Sequence, residues 1–168
     1  MATTADVLLD AFGRVRDTVH EVLGGTPEDH LAEVPAEGTN TIAWLAWHLT
    51  RVMDEHVSDA FGTDAVWTSQ GWRDRFGLPF SARATGYGMT FDEVLQVRAS
   101  PENLRGYFDA TFEVAVAAIG AVTDSDLDRI VDERWDPPVT LAVRLVSVVD
   151  DCLQHAGQAA YARGILTR

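Results

Sequence analysis

The sequence has little cysteine: Cys152 stands alone among 168 residues. One thiol cannot close an internal disulfide, and its solitude suits a reducing cytoplasm. Basic residues are also scarce, 13 Lys and Arg against 26 Asp and Glu, for a formal net charge of −13. A surface of that sign repels phosphate backbones and anionic lipid, so nucleic acid and membrane are not expected as partners. No uninterrupted apolar run approaches the roughly 18 residues that a membrane span requires. The opening MATTADVLLDAFGRVRD lacks a basic leader and interrupts its short apolar run with Asp6 and Asp10, so it does not read as a signal peptide. A Gly-rich phosphate loop leading into a helix, a paired-cysteine zinc knuckle and a nucleophile elbow are all missing, which sets those classes aside. Repeats, low-complexity tracts and domain linkers are absent as well. A chain near this length buries roughly 70% of its unfolded surface in one core, so a single cytoplasmic domain over residues 1–168 is expected.

What is present is helical periodicity. Leu8, Phe12, Val15, Val19, Val22 and Leu23 recur at helix spacing until Gly24-Gly25 stops them. Thr26-Pro27-Glu28-Asp29 then offers a cap followed by proline, which predicts a short helical turn before Pro35. A second long helix is predicted from about Thr39 to Phe61, closed by Gly62, with Ile42, Leu45, Leu49, Val52, Met53 and Ala60 on its apolar arc. From Gly62 to Ser100 the pattern weakens, and its clear signal is the capping box Thr90-Phe91-Asp92-Glu93, which predicts a short helix through about Val97. Ser100-Pro101 starts the third long helix; a polar connector, Thr123 to Pro138, follows, and the fourth runs from near Thr140 to about Leu166. Four amphipathic helices without alternating strands imply an all-α four-helix bundle. The connection of about 38 residues between helices two and three is long enough to travel the bundle's length. Those two can therefore be parallel, giving up-down-down-up order, while the short connections favour antiparallel neighbours.

The fourth helix carries DDCLQHAGQAAYARG, in which Asp151 and His155 stand four residues apart. At about 100° per residue, Asp151 lies within about 40° of His155, on the side shared with Leu141, Val148 and Ala159. A buried carboxylate or imidazole is costly unless it is paired or bound to a cation. Arg144 falls on the same face about two turns away, so an Arg144–Asp151–His155 polar network is one answer. Helix two offers another, because His48 in WLAWHLTRVMDEHV points between Trp44, Leu45 and Val52. One histidine from one helix with a carboxylate and a histidine one turn apart on another can hold a metal ion and leave a coordination position open.

WLAWHLTRVMDEHV, followed about 100 residues later by VSVVDDCLQHAGQAAYARG, resembles the DinB superfamily. The closer likeness is to the branch similar to the metal-binding domain of mycothiol-dependent maleylpyruvate isomerase. It covers almost the whole chain and rests on two features: a histidine in a Trp-x-x-His-Leu context, and His-Ala-Gly-Gln preceded by a ligand four residues earlier. The resemblance implies an up-down-down-up bundle, often a homodimer, holding a divalent ion such as zinc or nickel through His48, Asp151 and His155. It implies thiol chemistry as well, with a low-molecular-weight cofactor such as mycothiol serving a transferase or isomerase. The isomerase branch often carries a carboxylate at the Asp151 position, where many relatives carry histidine, and aspartate reaches less far than glutamate. The isomerase's second domain is not expected in a chain that ends at Arg168.

Three functions follow as expectations: a thiol-dependent metalloenzyme, a metal-dependent hydrolase, and a noncatalytic dimeric module whose triad is a buried polar network. The substrate and catalytic residues stay unassigned. His56, two turns and about 12 Å beyond His48, is expected to pair with Glu55, Asp59 or another helix rather than share the ion. His20 and His30 are expected in solvent, and Cys152 in the core. Trp44 and Trp47 are expected to pack, with Trp44 able to wall a pocket above the metal, while Trp67 and Trp72 anchor the crossover.

Overall fold

Each long helix begins where a hydroxyl can satisfy an otherwise orphaned backbone amide. In the computed structural model, which describes residues 1–168, α1 (Thr4–Gly25) starts from a reciprocal capping box between Thr3 and Asp6. Helix α2 (Ile42–Phe61) starts two to three residues later than its periodicity suggests, because the Thr41 hydroxyl accepts the Trp44 amide. It ends at Gly62 in the left-handed conformation, φ 67°. The crossover holds three short helices, α3 (Val66–Ser69), α4 (Trp72–Phe76) and α5 (Phe91–Val94), the last opened by the Thr90–Glu93 box and ended short of Val97. Helix α6 (Pro101–Gly120) follows the Ser100 cap with proline in its first turn, and α7 (Leu141–Leu166) follows the Thr140 cap.

Contacts along the helices set their directions. Thr4 reaches Asp124 just beyond α6, so α1 and α6 are antiparallel. Arg163 near the end of α7 bonds Glu21 and the Gly25 carbonyl at the end of α1, so those two run together. His56 meets Arg144, while Leu49 lies against Cys152 farther along α7, so α2 opposes α7. It follows that α2 and α6 are parallel, the up-down-down-up order. The short connections do not join neighbours, however: α1 and α2 each pack against both α6 and α7, so the pairs α1–α2 and α6–α7 are antiparallel but diagonal across the bundle, while α2 and α6 are parallel neighbours. Each long helix is buried against two others in this arrangement.

Helix α2 is buried almost all round, from Ile42 to Asp54, because the crossover lies over its outer side. Trp67 and Trp72 anchor that crossover, both nearly fully buried against Tyr107. A polar clamp secures it from beneath. The Asp54 carboxylate, 1% exposed, accepts the Val66 and Trp67 amides at 2.7 Å each and the Tyr107 hydroxyl at 2.7 Å. Arg51, fully buried, donates Nε to the Ala84 carbonyl at 3.0 Å and Nη2 to the Ala82 carbonyl at 3.3 Å. The polar connector also contains more order than its composition suggests. Ile130–Asp132 (β1) and Val139–Thr140 (β2) form an antiparallel pair that folds against α2 and α7.

Candidate metal centre

His48 enters from α2, and Asp151 and His155 enter one turn apart from the antiparallel α7. One ligand atom from each lies within 4.8 Å of the others, so this His/Asp/His group can hold a metal ion. His48 is 4% exposed and its ring stacks on Trp44, with centroids 4.5 Å apart and planes 16° from parallel. Trp44 also meets His155 edge-on, so the expected aromatic wall is present.

The imidazoles are oriented by partners behind them. Nδ1 of His48 lies 2.6 Å from the Thr85 carbonyl, and because a carbonyl only accepts, that nitrogen carries the proton. Nδ1 of His155 lies 2.8 Å from Oε1 of Gln158 and is protonated for the same reason. Both rings thereby turn an Nε2 lone pair forward, the tautomer that metal ligation requires. Asp151 completes the set, with Oδ1 3.6 Å from Nε2 of His155, too long for a hydrogen bond. Its Oδ2 is buried and has no hydrogen-bond partner. Two ligands at about 2.05 Å from a tetrahedral ion are roughly 3.3 Å apart, so the Asp151–His155 spacing is close to what zinc demands. A carboxylate with one oxygen buried and unpartnered, set beside two forward-facing imidazole nitrogens, is the donor chemistry of a divalent cation.

Electrostatics separate the two histidines. Burial, together with the nearby His155, pushes the His48 pKa below its ordinary value despite the Thr85 bond and the Asp151 charge. Burial also opposes charging of His155, but the Asp151 carboxylate and Gln158 outweigh it and raise the pKa. The carboxylate thus favours positive charge at the point where a cation would sit.

Arg144 does not join this group, which removes the Arg144–Asp151–His155 network as an explanation for the buried carboxylate. Its Nη2 donates to Oδ2 of Asp132 at 2.8 Å and its Nη1 to Nδ1 of His56 at 2.7 Å. Asp132 comes from β1, within the connector, and draws the guanidinium away from Asp151. His56 accordingly pairs with another helix and stays out of the metal group. His20 and His30 are half-buried rather than solvated, since α6 brings Asp109 to His20 and the turn at Glu28–His30 brings Glu33 near His30. Cys152 is fully buried, its thiol pKa pushed up by burial and then by Asp151, with Sγ directed at the Leu49 carbonyl.

Sequence reasoning passed over three supports of the site. Thr85 contributes a backbone carbonyl, which leaves no side-chain signal. Gly86 has φ 103°, and a Cβ there would lie 2.6 Å from Nδ1 of His48, so the backbone is packed directly on the ligand. Gln158 was visible as the end of His-Ala-Gly-Gln, three residues after His155 and therefore on the same helix face.

The chain is similar to a crystal structure of a conserved protein from Enterococcus faecalis, at TM-score 0.90 and 28% identity over 98% of each chain. No curated protein shows a significant match. The DinB superfamily profile matches residues 11–159, a stretch that contains His48, Asp151 and His155. The chain belongs to the DinB superfamily.

Proposed function

We propose that this protein is a metalloprotein in which His48, Asp151 and His155 hold one divalent ion, zinc or nickel, and that it catalyses a transfer or isomerisation dependent on a low-molecular-weight thiol of the mycothiol type. The observation that carries the metal reading is the convergence of Asp151, one of whose oxygens is buried and unpartnered, with two imidazoles whose Nδ1 protons are already committed to Thr85 and Gln158. The thiol reading rests on superfamily membership and on the resemblance of the His-Ala-Gly-Gln segment to the isomerase branch. A bound divalent ion supplies the charge that keeps a coordinated thiol deprotonated.

The chain's own residues do the rest. Thr85 and Gln158 hold the imidazole tautomers, Trp44 shields one face of His48, and Gly86 lets the crossover backbone close on the ring. A cavity of about 480 Å³ opens beside His48 and Asp151, within the size range of small-molecule sites. Hydrolysis by activated water would use the same open position, and loss of activity on removing the thiol cofactor separates the two chemistries. The protein is further proposed to act as one domain, homodimeric and cytoplasmic.

The test is metal content. Protein purified without an affinity tag and dialysed against zinc or nickel is expected to carry close to one ion per chain. Chelation is expected to lower Tm while the helical circular dichroism persists, because the bundle core stands independently of the ion. Failure of either ion to bind would refute the metal reading, and complete unfolding on chelation would show a structural metal instead.

A further inference from the structure

The cavity beside the triad has a second end. His48 and Asp151 stand at one end and His56 and Arg144 at the other, with Tyr87 and Trp135 along the mouth. Both of these aromatic rings are largely exposed, at 94% and 66%, while Arg144 is only 8% exposed. The cleft therefore places a buried cation beneath two uncovered rings.

The chemistry of the Arg144 end is set by what each partner can do. A guanidinium only donates, so its bond to Nδ1 of His56 leaves the lone pair there and the proton on Nε2. Burial and then the Arg144 charge hold the His56 pKa below its ordinary value, which keeps the ring neutral. His56 is thus a fixed Nε2–H donor lining the cavity. Arg144 donates also to Asp132, but that carboxylate is already gripped by Arg134 through Nε at 2.8 Å and Nη2 at 2.9 Å. Arg144 therefore shares its carboxylate with a second guanidinium, that of the exposed Arg134, while Asp151 stands at the other end of the same cleft. Nε of Arg144 is buried without an acceptor, so its hydrogen-bonding capacity is not exhausted by the protein. A purely structural ion pair would not leave a buried guanidinium incompletely paired at the wall of a cavity.

We infer that this cleft binds a small molecule with a singly charged carboxylate, received by Nε2–H of His56 and the guanidinium of Arg144. Its body lies against Tyr87 and Trp135. The Asp151 carboxylate in the same lining repels added negative charge, which suits a singly charged carboxylate rather than a dianionic phosphate. Arg144 and Asp151 are seven residues apart on α7, about 10.5 Å along the axis, so a molecule of about that length reaches the metal ligands from the anion end. Only the placement of its reactive end rests on the metal reading; the carboxylate end does not.

The test uses the full chain, labelled with ¹⁵N and titrated with sodium benzoate at constant ionic strength, before and after zinc loading, with zinc content measured on the same samples. Sodium phosphate and sodium chloride serve as controls. Benzoate is expected to shift the Trp135 indole and Arg144 Nε–H signals saturably, at least tenfold more tightly than phosphate, and more tightly still with zinc present. His56→Phe and Arg144→Gln are each expected to weaken binding at least tenfold, while His56→Gln, which keeps a donor, recovers part of it. Should Arg144→Gln not fold, the His56→Phe and His56→Gln pair decides the matter alone. No saturable shift in either the metal-free or the zinc-loaded protein overturns the inference, and so does benzoate affinity unchanged in His56→Phe. A sample that takes up no zinc yet responds to benzoate sustains the cleft and sinks only the metal reading. Zinc uptake without a benzoate response does the reverse.

Discussion

Asp54→Asn is the substitution that most directly measures what holds the crossover over the metal centre. The carboxylate is 1% exposed and faces donors on both oxygens: the Val66 amide on Oδ1, and the Trp67 amide and Tyr107 hydroxyl on Oδ2, each at 2.7 Å. Asparagine keeps the shape, yet whichever oxygen becomes the amide nitrogen, it confronts one of those two backbone N–H groups donor to donor. The change also leaves Arg51, fully buried, without its buried counter-charge; what remains is Glu55, which is 41% exposed. Removing one partner of a buried pair costs about 3–5 kcal/mol. For a domain near this length each kcal/mol lowers Tm by about 2–4 °C, so the expected fall is roughly 6–20 °C. Urea denaturation followed by circular dichroism reads the loss, and hydrogen exchange locates it. Protection should vanish first at the Val66 and Trp67 amides while α1, α6 and α7 keep theirs. A loss below about 1 kcal/mol, close to that of a surface control such as Asp59→Asn, would refute the clamp.

The metal group makes its own demands: His48→Ala and His155→Ala should each abolish tight zinc binding in calorimetric titrations while the helical signal persists. Asp151→Glu should retain binding and Asp151→Asn should weaken it severely, since only the former keeps the anion. Gly86→Ala should reduce zinc affinity at least tenfold, because its Cβ would press on Nδ1 of His48 at 2.6 Å and break the bond to Thr85. Gly88→Ala, with φ 72° but open space around it, should cost stability without touching affinity, so equal zinc affinities in the two variants would count against the packing argument. His56, whose pKa is lowered by burial and by Arg144, binds its proton less readily folded than unfolded. The metal-free protein should therefore lose stability as pH falls below about 6.5, where the unfolded chain gains the proton more readily. His56→Phe should lessen that acid limb in denaturation curves, the remainder belonging to groups such as His48 whose pKa burial also lowers, and an unchanged slope would show that His56 has no part in it.

Much of the site could be read from the chain because helical spacing is a local rule. Caps at Ser100 and Thr140 and the stop at Gly62 delimited helices to within a few residues, since each acts on amides no more than a turn away. The pair Asp151 and His155 was visible for the same reason, and His48 because it interrupts an apolar arc. Arg144 was equally visible, but its partner was not. Asp132 lies twelve residues away in a connector without periodicity, and only the β1–β2 pairing carries it to the guanidinium. Arg51 and Asp54 also sit on α2, yet nothing local distinguishes them from a solvated face until the crossover folds over them and supplies backbone partners. Thr85 and Gly86 act through a carbonyl and a missing Cβ, features no side-chain pattern can announce. Sequence alone thus determined the helices and the residue types each presents inward, because both follow from spacing along one backbone. Tertiary structure decided the diagonal placement of α1 with α2 and of α6 with α7, the choice of Asp132 over Asp151 for Arg144, and the carbonyl that orients His48, because each depends on surfaces brought together from distant parts of the chain.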